Sequence, residues 1–328
     1  MLNISFNRAE DILNNCHGKT IAVIGDVMLD RYFWGHVSRV SPEAPVPVID
    51  VEKESFHLGG AANVACNLKT LGIEPILCGV IGEDRSGKTF KEIAKEYGIN
   101  PAGLFADTKR PTTVKTRIIG NNQHIARLDR EMRIPLPTNG EKFILTVLEE
   151  QKNLAGIIFE DYNKGTITEF LILEVISFAR INNIPIYVDP KFENFFNFKN
   201  VTLFKPNRKE AEQALGVSIK AKEQIIEAGT VLLSKLNCQN VLLTLGADGM
   251  MLFERNGDIS SVPTHAIHIA DVSGAGDTAI ATLSAAVAGG ANFKEAAIMA
   301  NYASGVVCEE PGIVSITKNN LLNAISKG

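Results

Sequence analysis

The chain has 328 residues and a formal net charge of −4 at pH 7, room for two domains or one large α/β domain on a prior of about 150 residues per domain. With no Lys/Arg block and no excess of positive charge, it lacks the basic surface that nucleic acid demands. Its five cysteines (Cys16, Cys66, Cys78, Cys238 and Cys308) are scattered without a CxxC pair, which suits reduced thiols in a cytoplasmic protein; its apolar stretches contain Gly and fall short of the ~20 residues a membrane span needs.

In chain order, Lys19 to Gly25 reads as a buried first strand that ends at Gly25-Asp26, where parallel sheets place their ligands. Val37 to Val51 and, further on, Thr112 to Asp129 alternate polar and β-favouring residues with no intervening helix pattern. They are expected to form an antiparallel pair outside the main sheet, a lid inserted in one domain. Leu58-Gly-Gly-Ala-Ala-Asn63 precedes a helix running towards Leu71. Gly59 and Gly60 let the backbone approach a ligand, and Asn63 offers both a donor and an acceptor, the mixture sugar hydroxyls want. Paired glycines before a helix also make an ordinary turn.

Ile76 to Ile81 reads as a strand, and Gly82-Glu-Asp-Arg-Ser-Gly-Lys88-Thr89 after it fits the spacing of a phosphate-binding P-loop. Glu83 and Asp84 would put two negative charges in a loop meant to surround phosphate, so Lys88 is expected to be a solvated helix residue. Gly156 to Phe159, Ile186 to Val188, Val201 to Phe204 and Val241 to Leu245 are further short strands, separated by amphipathic segments such as Gly165 to Asn182. Alternation of this kind means a parallel sheet with helices on both faces.

Lys205-Pro-Asn207-Arg-Lys-Glu210 follows one of these strands, and Asn207 and Glu210 share a helix face at i, i+3. They can hold a hydrated magnesium ion or form a capping-box-like pair, and the residues do not choose. Thr244-Leu-Gly246-Ala-Asp-Gly249 makes a turn into Met250 to Phe253, a hairpin that can also lie under a nucleotide. His265 and His268 would point to opposite faces of a strand and are expected to be structural.

The most informative stretch comes last. Ala266 to Ala270 reads as a strand and Thr278 to Ala288 as a packed helix, so Asp271-Val-Ser-Gly-Ala-Gly-Asp277 joins the two. Gly274, Ala275 and Gly276 are too small to block the backbone, so their N–H groups and the positive helix end can face a phosphate. A carboxylate at Asp277 is repulsive beside bound phosphate, and makes sense if it takes a proton from an attacking hydroxyl. That reads as a phosphotransferase; the plain alternative is a helix N-terminus with an Asp in its first turn.

The order Gly59-Gly-Ala-Ala-Asn63, Asn207-Arg-Lys-Glu210, Gly274-Ala-Gly-Asp277 resembles the ribokinase-like (phosphofructokinase-B type) sugar kinases across nearly the whole chain. Gly25-Asp-Val-Met-Leu-Asp30, Arg39-Val-Ser-Pro-Glu-Ala-Pro, Arg127-Leu-Asp129, Asp161-Tyr-Asn-Lys-Gly165 and Val188-Asp-Pro-Lys191 are more specific, and are similar to the heptose 7-phosphate kinases of lipopolysaccharide precursor synthesis. The resemblance implies an α/β, ribokinase-like three-layer α/β/α fold with a mainly parallel sheet and a small β lid. It implies transfer from Mg-ATP to the anomeric hydroxyl of D-glycero-β-D-manno-heptose 7-phosphate, with Asp277 as the base and Gly274, Ala275 and Gly276 stabilising the transferred phosphoryl group.

By the same resemblance Asp30, Gly59, Gly60 and Asn63 bind sugar hydroxyls; Asn207 and Glu210 serve metal and phosphate, moving the balance towards capping and metal roles together. Thr244, Gly246, Gly249 and Asn301 bind the nucleotide. Lys164, Lys191, Arg117 and Arg127 are the candidate cations for the 7-phosphate. The lid implies a homodimer. In many relatives a nucleotidyltransferase module with an HxGH motif is fused to the kinase; none is found before Gly328, so the expectation is a kinase step alone with a separate nucleotidyltransferase. The alternatives are a kinase for another sugar phosphate or a nucleoside, and a non-catalytic sugar-binding protein of the same fold.

Overall fold

The computed structural model describes residues 3–264 and 271–327. The segment read as a strand from Ala266 to Ala270, with His265 and His268, lies outside the described residues. The strands are β1 (Thr20–Gly25), β2 (Val27–Val40), β3 (Pro47–Gly60), β4 (Glu74–Gly82), β5 (Leu104–Asp107), β6 (Val114–Gly120), β7 (Gln123–Arg130), β8 (Leu154–Glu160), β9 (Ile186–Asp189), β10 (Leu203–Phe204), β11 (Asn240–Thr244), β12 (Met250–Glu254) and β13 (Ile259–Val262). The α-helices are α1 (Phe6–Cys16), α2 (Ala61–Thr70), α3 (Arg85–Glu96), α4 (Thr138–Glu149), α5 (Glu169–Ile181), α6 (Arg208–Leu215), α7 (Lys222–Leu236), α8 (Ala275–Ala288), α9 (Phe293–Cys308) and α10 (Lys318–Lys327).

Among the described residues the large sheet runs β13-β12-β11-β10-β9-β8-β1-β4-β5. Every neighbouring pair from β11 to β5 is parallel, and β12 and β13 turn back antiparallel at the edge. Side-chain alternation divides the core into two layers. Ile21, Val23, Ile158 and Tyr187 join one cluster with residues of α1, α2, α8 and α9, while Ala22, Ile24, Ile157, Phe159 and Val188 join the other with residues of α4, α5 and α7. A sheet covered on both faces has no wet side, which is why these strands are apolar runs.

The second sheet runs β3-β2-β6-β7. Its β2/β3 and β6/β7 hairpins are antiparallel and meet through a parallel β2–β6 pairing. The segments 37–51 and 112–129 both fall in it, but the sheet has four strands and starts at Val27, where an antiparallel pair was expected. Nothing between Ile24 and Tyr32 breaks β character except Gly25-Asp26, so the chain passes from β1 into β2 at that point. The inner ends are buried at Met28, Leu29 and Leu58, whereas β7 is exposed along its whole length.

The P-loop-like stretch is a capped helix. Asp84 accepts hydrogen bonds from Gly87 N–H at 2.8 Å and from the Thr112 hydroxyl at 2.7 Å, fixing the start of α3 to the loop before β6. Lys88 is exposed.

Candidate active site

The catalytic candidates gather at the carboxyl ends of β1, β8, β9 and β10, where an open parallel sheet exposes its loops. Glu160 ends β8, Asp189 ends β9 and Lys205 follows β10. Oxygen atoms of Glu160, Asp189 and Asp277 lie within 4.8 Å of one another, and Lys205 Nζ meets Asp189 Oδ2 at 2.6 Å. Glu160 Oε2 is buried without a hydrogen-bond partner among the described residues. Burial, then Asp189 and Asp277, push the Glu160 carboxyl well above the usual range.

Asp277 stands in the first turn of α8 and is 4 % exposed. Its Oδ2 accepts from Asn63 Nδ2 at 2.8 Å and its Oδ1 from the Tyr162 hydroxyl at 2.9 Å. Burial raises its pKa to about 6 against the pull of those two donors. Asn63 is itself fixed, since Asn67 Nδ2 donates to its backbone oxygen at 2.9 Å. Gly274 caps the helix at φ +80°, and a Cβ there would lie 2.7 Å from Asn63 Nδ2. Glycine is therefore required twice over at this position. At Gly276 a Cβ would sit 3.5 Å from both Asp189 Oδ2 and Lys205 Nζ, so the helix start is stacked directly on that ion pair.

Asp26 organises the rest. Its carboxylate accepts the N–H groups of Tyr162 and Lys164 at 2.9 Å and of Thr166 at 3.0 Å, and its backbone oxygen accepts Ala61 N–H at 3.0 Å. One buried residue thus ties the segment after β8, through its side chain, to the head of α2, through its backbone. Gly60 adopts φ +60° at that junction, and a Cβ would strike the Asp26 carbonyl.

On one side of Asp277 a cavity of about 540 Å³ is lined by Asn207, Thr244, Gly246, Gly249, Ala275, Gly276 and Asn301 among others. Five residues expected for the nucleotide or metal (Asn207, Thr244, Gly246, Gly249 and Asn301) therefore share one space with the glycine turn. Asn301 Nδ2 donates to Pro263 O at 2.6 Å. Asn207 and Glu210 form a complete capping box: Asn207 Oδ1 accepts Glu210 N–H at 2.9 Å and Glu210 Oε2 accepts Asn207 N–H at 2.8 Å. Glu210 Oε1 is bonded to Lys191, which Asp189 and Glu210 hold above its ordinary pKa although burial works against the charge.

On the other side lies the small sheet. Asp30 is buried and paired with Arg117, and a Cβ at Gly59 would run into the Asp30 carboxylate. The remaining expected cations are already paired: Lys164 bonds Glu131 at 2.7 Å, and Arg127 bonds Asp129 at 2.9 Å in the open.

The sequence pattern of the pfkB family of carbohydrate kinases matches residues 19–319. The chain belongs to this family. It is 40% identical over 304 residues to the bifunctional protein HldE of Geobacter sulfurreducens, covering 92% of this chain and 62% of that protein. It is likewise 40% identical over 309 residues to the bifunctional protein HldE of Helicobacter hepaticus, covering 93% and 63%. The chain thus spans just under two thirds of the length of these relatives. Phosphofructokinase-2 from Escherichia coli in complex with fructose-6-phosphate superposes with a TM-score of 0.77 at 15% identity, covering 95% of this chain and 99% of that one. Arabidopsis thaliana ribokinase complexed with ribose and ATP gives 0.73 at 18% identity, covering 94% and 99%. The fold is therefore ribokinase-like α/β, and the chain is a phosphotransferase acting on an alcohol group.

Sequence reasoning gave no role to Asp26, Glu160, Tyr162, Asp189 and Lys205, although all but Glu160 lie within segments it singled out. Each is a single polar residue at or just beyond the end of an apolar strand, or in the loop after one. That position was the available signal, because β1, β8, β9 and β10 are neighbours in the sheet.

Proposed function

We propose that this kinase transfers the γ-phosphoryl group of ATP to the anomeric hydroxyl of D-glycero-β-D-manno-heptose 7-phosphate, giving the 1,7-bisphosphate and ADP. The observation that carries the reading is Asp277: a dry carboxylate, aimed by Asn63 and Tyr162, whose helix start borders the cavity suited to a nucleotide. Asp277 takes the hydroxyl proton, the freed oxygen attacks phosphorus, and the bond from phosphorus to the bridging oxygen of ADP breaks. The N–H groups at Gly274, Ala275 and Gly276 would stabilise charge on the phosphoryl oxygens, that of Ala275 by giving up its 3.3 Å bond to Val272 O. Choice of the heptose rests on the likeness of the Asp30, Arg39 to Pro45, Asp161 to Gly165 and Asp189 to Lys191 segments to heptose 7-phosphate kinases.

Magnesium fits the residues present. Three buried carboxylates crowd against Lys205, Glu160 Oε2 has no hydrogen-bond partner among the described residues, and this excess negative charge is what a divalent cation relieves. Asn207 and Glu210 would hold it through water, with their capping box intact, and the ion would neutralise charge on the nucleotide phosphates.

We further read the small sheet as a lid and as the contact between two copies of this chain, because Val40 (66 % exposed), Val51 (55 %) and Leu128 (55 %) leave apolar surface on it. Sedimentation of the purified protein tests this; a monomer at all concentrations overturns it.

The test of function is ADP release with Mg-ATP and a panel of heptose 7-phosphate, fructose 6-phosphate, ribose and adenosine. Preferential turnover of the heptose phosphate is expected. Preference for another member keeps the Asp277 chemistry and discards the heptose, and binding without turnover supports a sugar-binding protein.

A further inference from the structure

The inner face of the small sheet holds a cation with no hydrogen-bonded or ion-paired partner among the described residues. Register aligns Lys115 with Asp30 on β2 and with Asp129 on β7, and Arg117 with Arg127, so these residues share one face. Arg117 is taken by Asp30, Arg127 by Asp129, and Lys164 by Glu131, which also takes Arg133. Lys191 is taken by Glu210. The ammonium of Lys115, half-buried, has no hydrogen bond or ion pair among the described residues.

Its position is informative. Lys115 Nζ lies 5.2 Å from the centre of the Tyr162 ring, and the Tyr162 hydroxyl donates to Asp277. The ring face attracts the charge but does not satisfy three N–H donors. Burial holds the ammonium below its ordinary pKa in spite of Asp30 nearby. A half-buried ammonium without an acceptor is a cost to the fold, and a phosphate monoester, with three acceptor oxygens and up to two negative charges, removes it. The paired cations have less to offer, since each must release a carboxylate to take a phosphate.

We propose that Lys115 binds the phosphate carried by the sugar and thereby selects a phosphorylated over an unphosphorylated substrate. This deepens the sugar-phosphate kinase reading and rests on it for the identity of the ligand.

The experiment is calorimetric binding of heptose 7-phosphate and of the same heptose without phosphate to wild-type protein, Lys115→Met and Lys115→Arg, with ADP release measured alongside. Wild type should prefer the phosphorylated sugar. Lys115→Met should lose about 10- to 100-fold of affinity for it and none for the plain heptose, as removal of a charge-assisted hydrogen bond predicts; Lys115→Arg should restore most of the loss. The Met variant should melt no lower than wild type, because it deletes a half-buried charge rather than a contact. Unchanged affinity in Lys115→Met, or an equal loss for both sugars, overturns the proposal. Should ADP appear normally while Lys115→Met keeps the full preference for phosphate, the proposal fails and the kinase reading stands. Loss of the preference in a protein that releases no ADP keeps the proposal and removes the catalytic reading.

Discussion

The two walls of the cleft are built on opposite principles. Around Asp277 the groups are buried and each of its two carboxylate oxygens has a fixed donor, and those donors are held in turn by Asn67 and Asp26. On the small sheet the groups are charged, and several stand in solvent, with the Arg127 side chain 59% exposed. A dry, hydrogen-bonded wall sets geometry, because displacing any member leaves another unsatisfied. A wet, ion-paired wall can be re-sorted by a ligand at little cost. We therefore propose that the large sheet carries the chemistry and the small one the choice of substrate.

The strongest way to break this division is Asp277→Asn. ADP release should fall about 10³-fold, within the range for loss of a general base, with sugar affinity largely kept; turnover near wild type would remove Asp277 as the base. The pH profile sharpens the point. With its pKa at about 6, Asp277 is protonated below that pH and is no longer basic enough to take the substrate proton. Turnover should fall as pH drops through 6 and level off above it.

Tyr162→Phe comes next. It removes the 2.9 Å donor to Asp277 Oδ1, and loss of a bond to the charged form raises the carboxyl pKa further. Turnover at neutral pH should drop about 10-fold, the worth of one hydrogen bond to a charged group, and the acid limb of the profile should move to higher pH. A drop without that movement would make Tyr162 a packing residue.

Gly59→Ala tests the other wall. The added methyl collides with the Asp30 carboxylate, so the Michaelis constant for the sugar should rise by about 10-fold, with that for ATP unchanged, as expected when binding rather than chemistry is damaged.

The two walls also differed in how well they could be read from sequence. Asp277, its glycine turn and the Gly59-Gly60-Asn63 segment are contiguous, and a turn that must approach phosphate is written in small residues next to one another. Glu160, Asp189 and Lys205 are single residues far apart in the chain, and only the order β8, β9, β10 in the sheet brings them together. The same holds for cations: Arg117, Arg127, Lys164 and Lys191 looked equally available, and only the structure shows carboxylates already on each. The small sheet was legible past Val37 because alternation is visible where one face is wet. Its first half was not, because residues 27–32 are mostly buried and show no such alternation.

Arg127→Ala should have the smallest effect, and its smallness is the point. The guanidinium is 59% exposed and, among the described residues, makes its only charged contact with Asp129, two residues along the same strand. Exposed pairs of this kind contribute about 0 to 1 kcal/mol, so stability should be unchanged within error. The Michaelis constant for the sugar phosphate should move less than about 3-fold. Asp129, freed from Arg127, is aligned with Lys115 across the β6/β7 pair and could turn to it. Any loss should therefore be confined to the phosphorylated sugar, and adding Asp129→Asn should reverse it. A 10-fold or larger rise would mean that Arg127 leaves Asp129 and closes over the substrate. The small sheet would then hold its ligand with a moving, exposed arginine as well as with Lys115, and the contrast between a wall that fixes and a wall that selects would need a third element, one that moves.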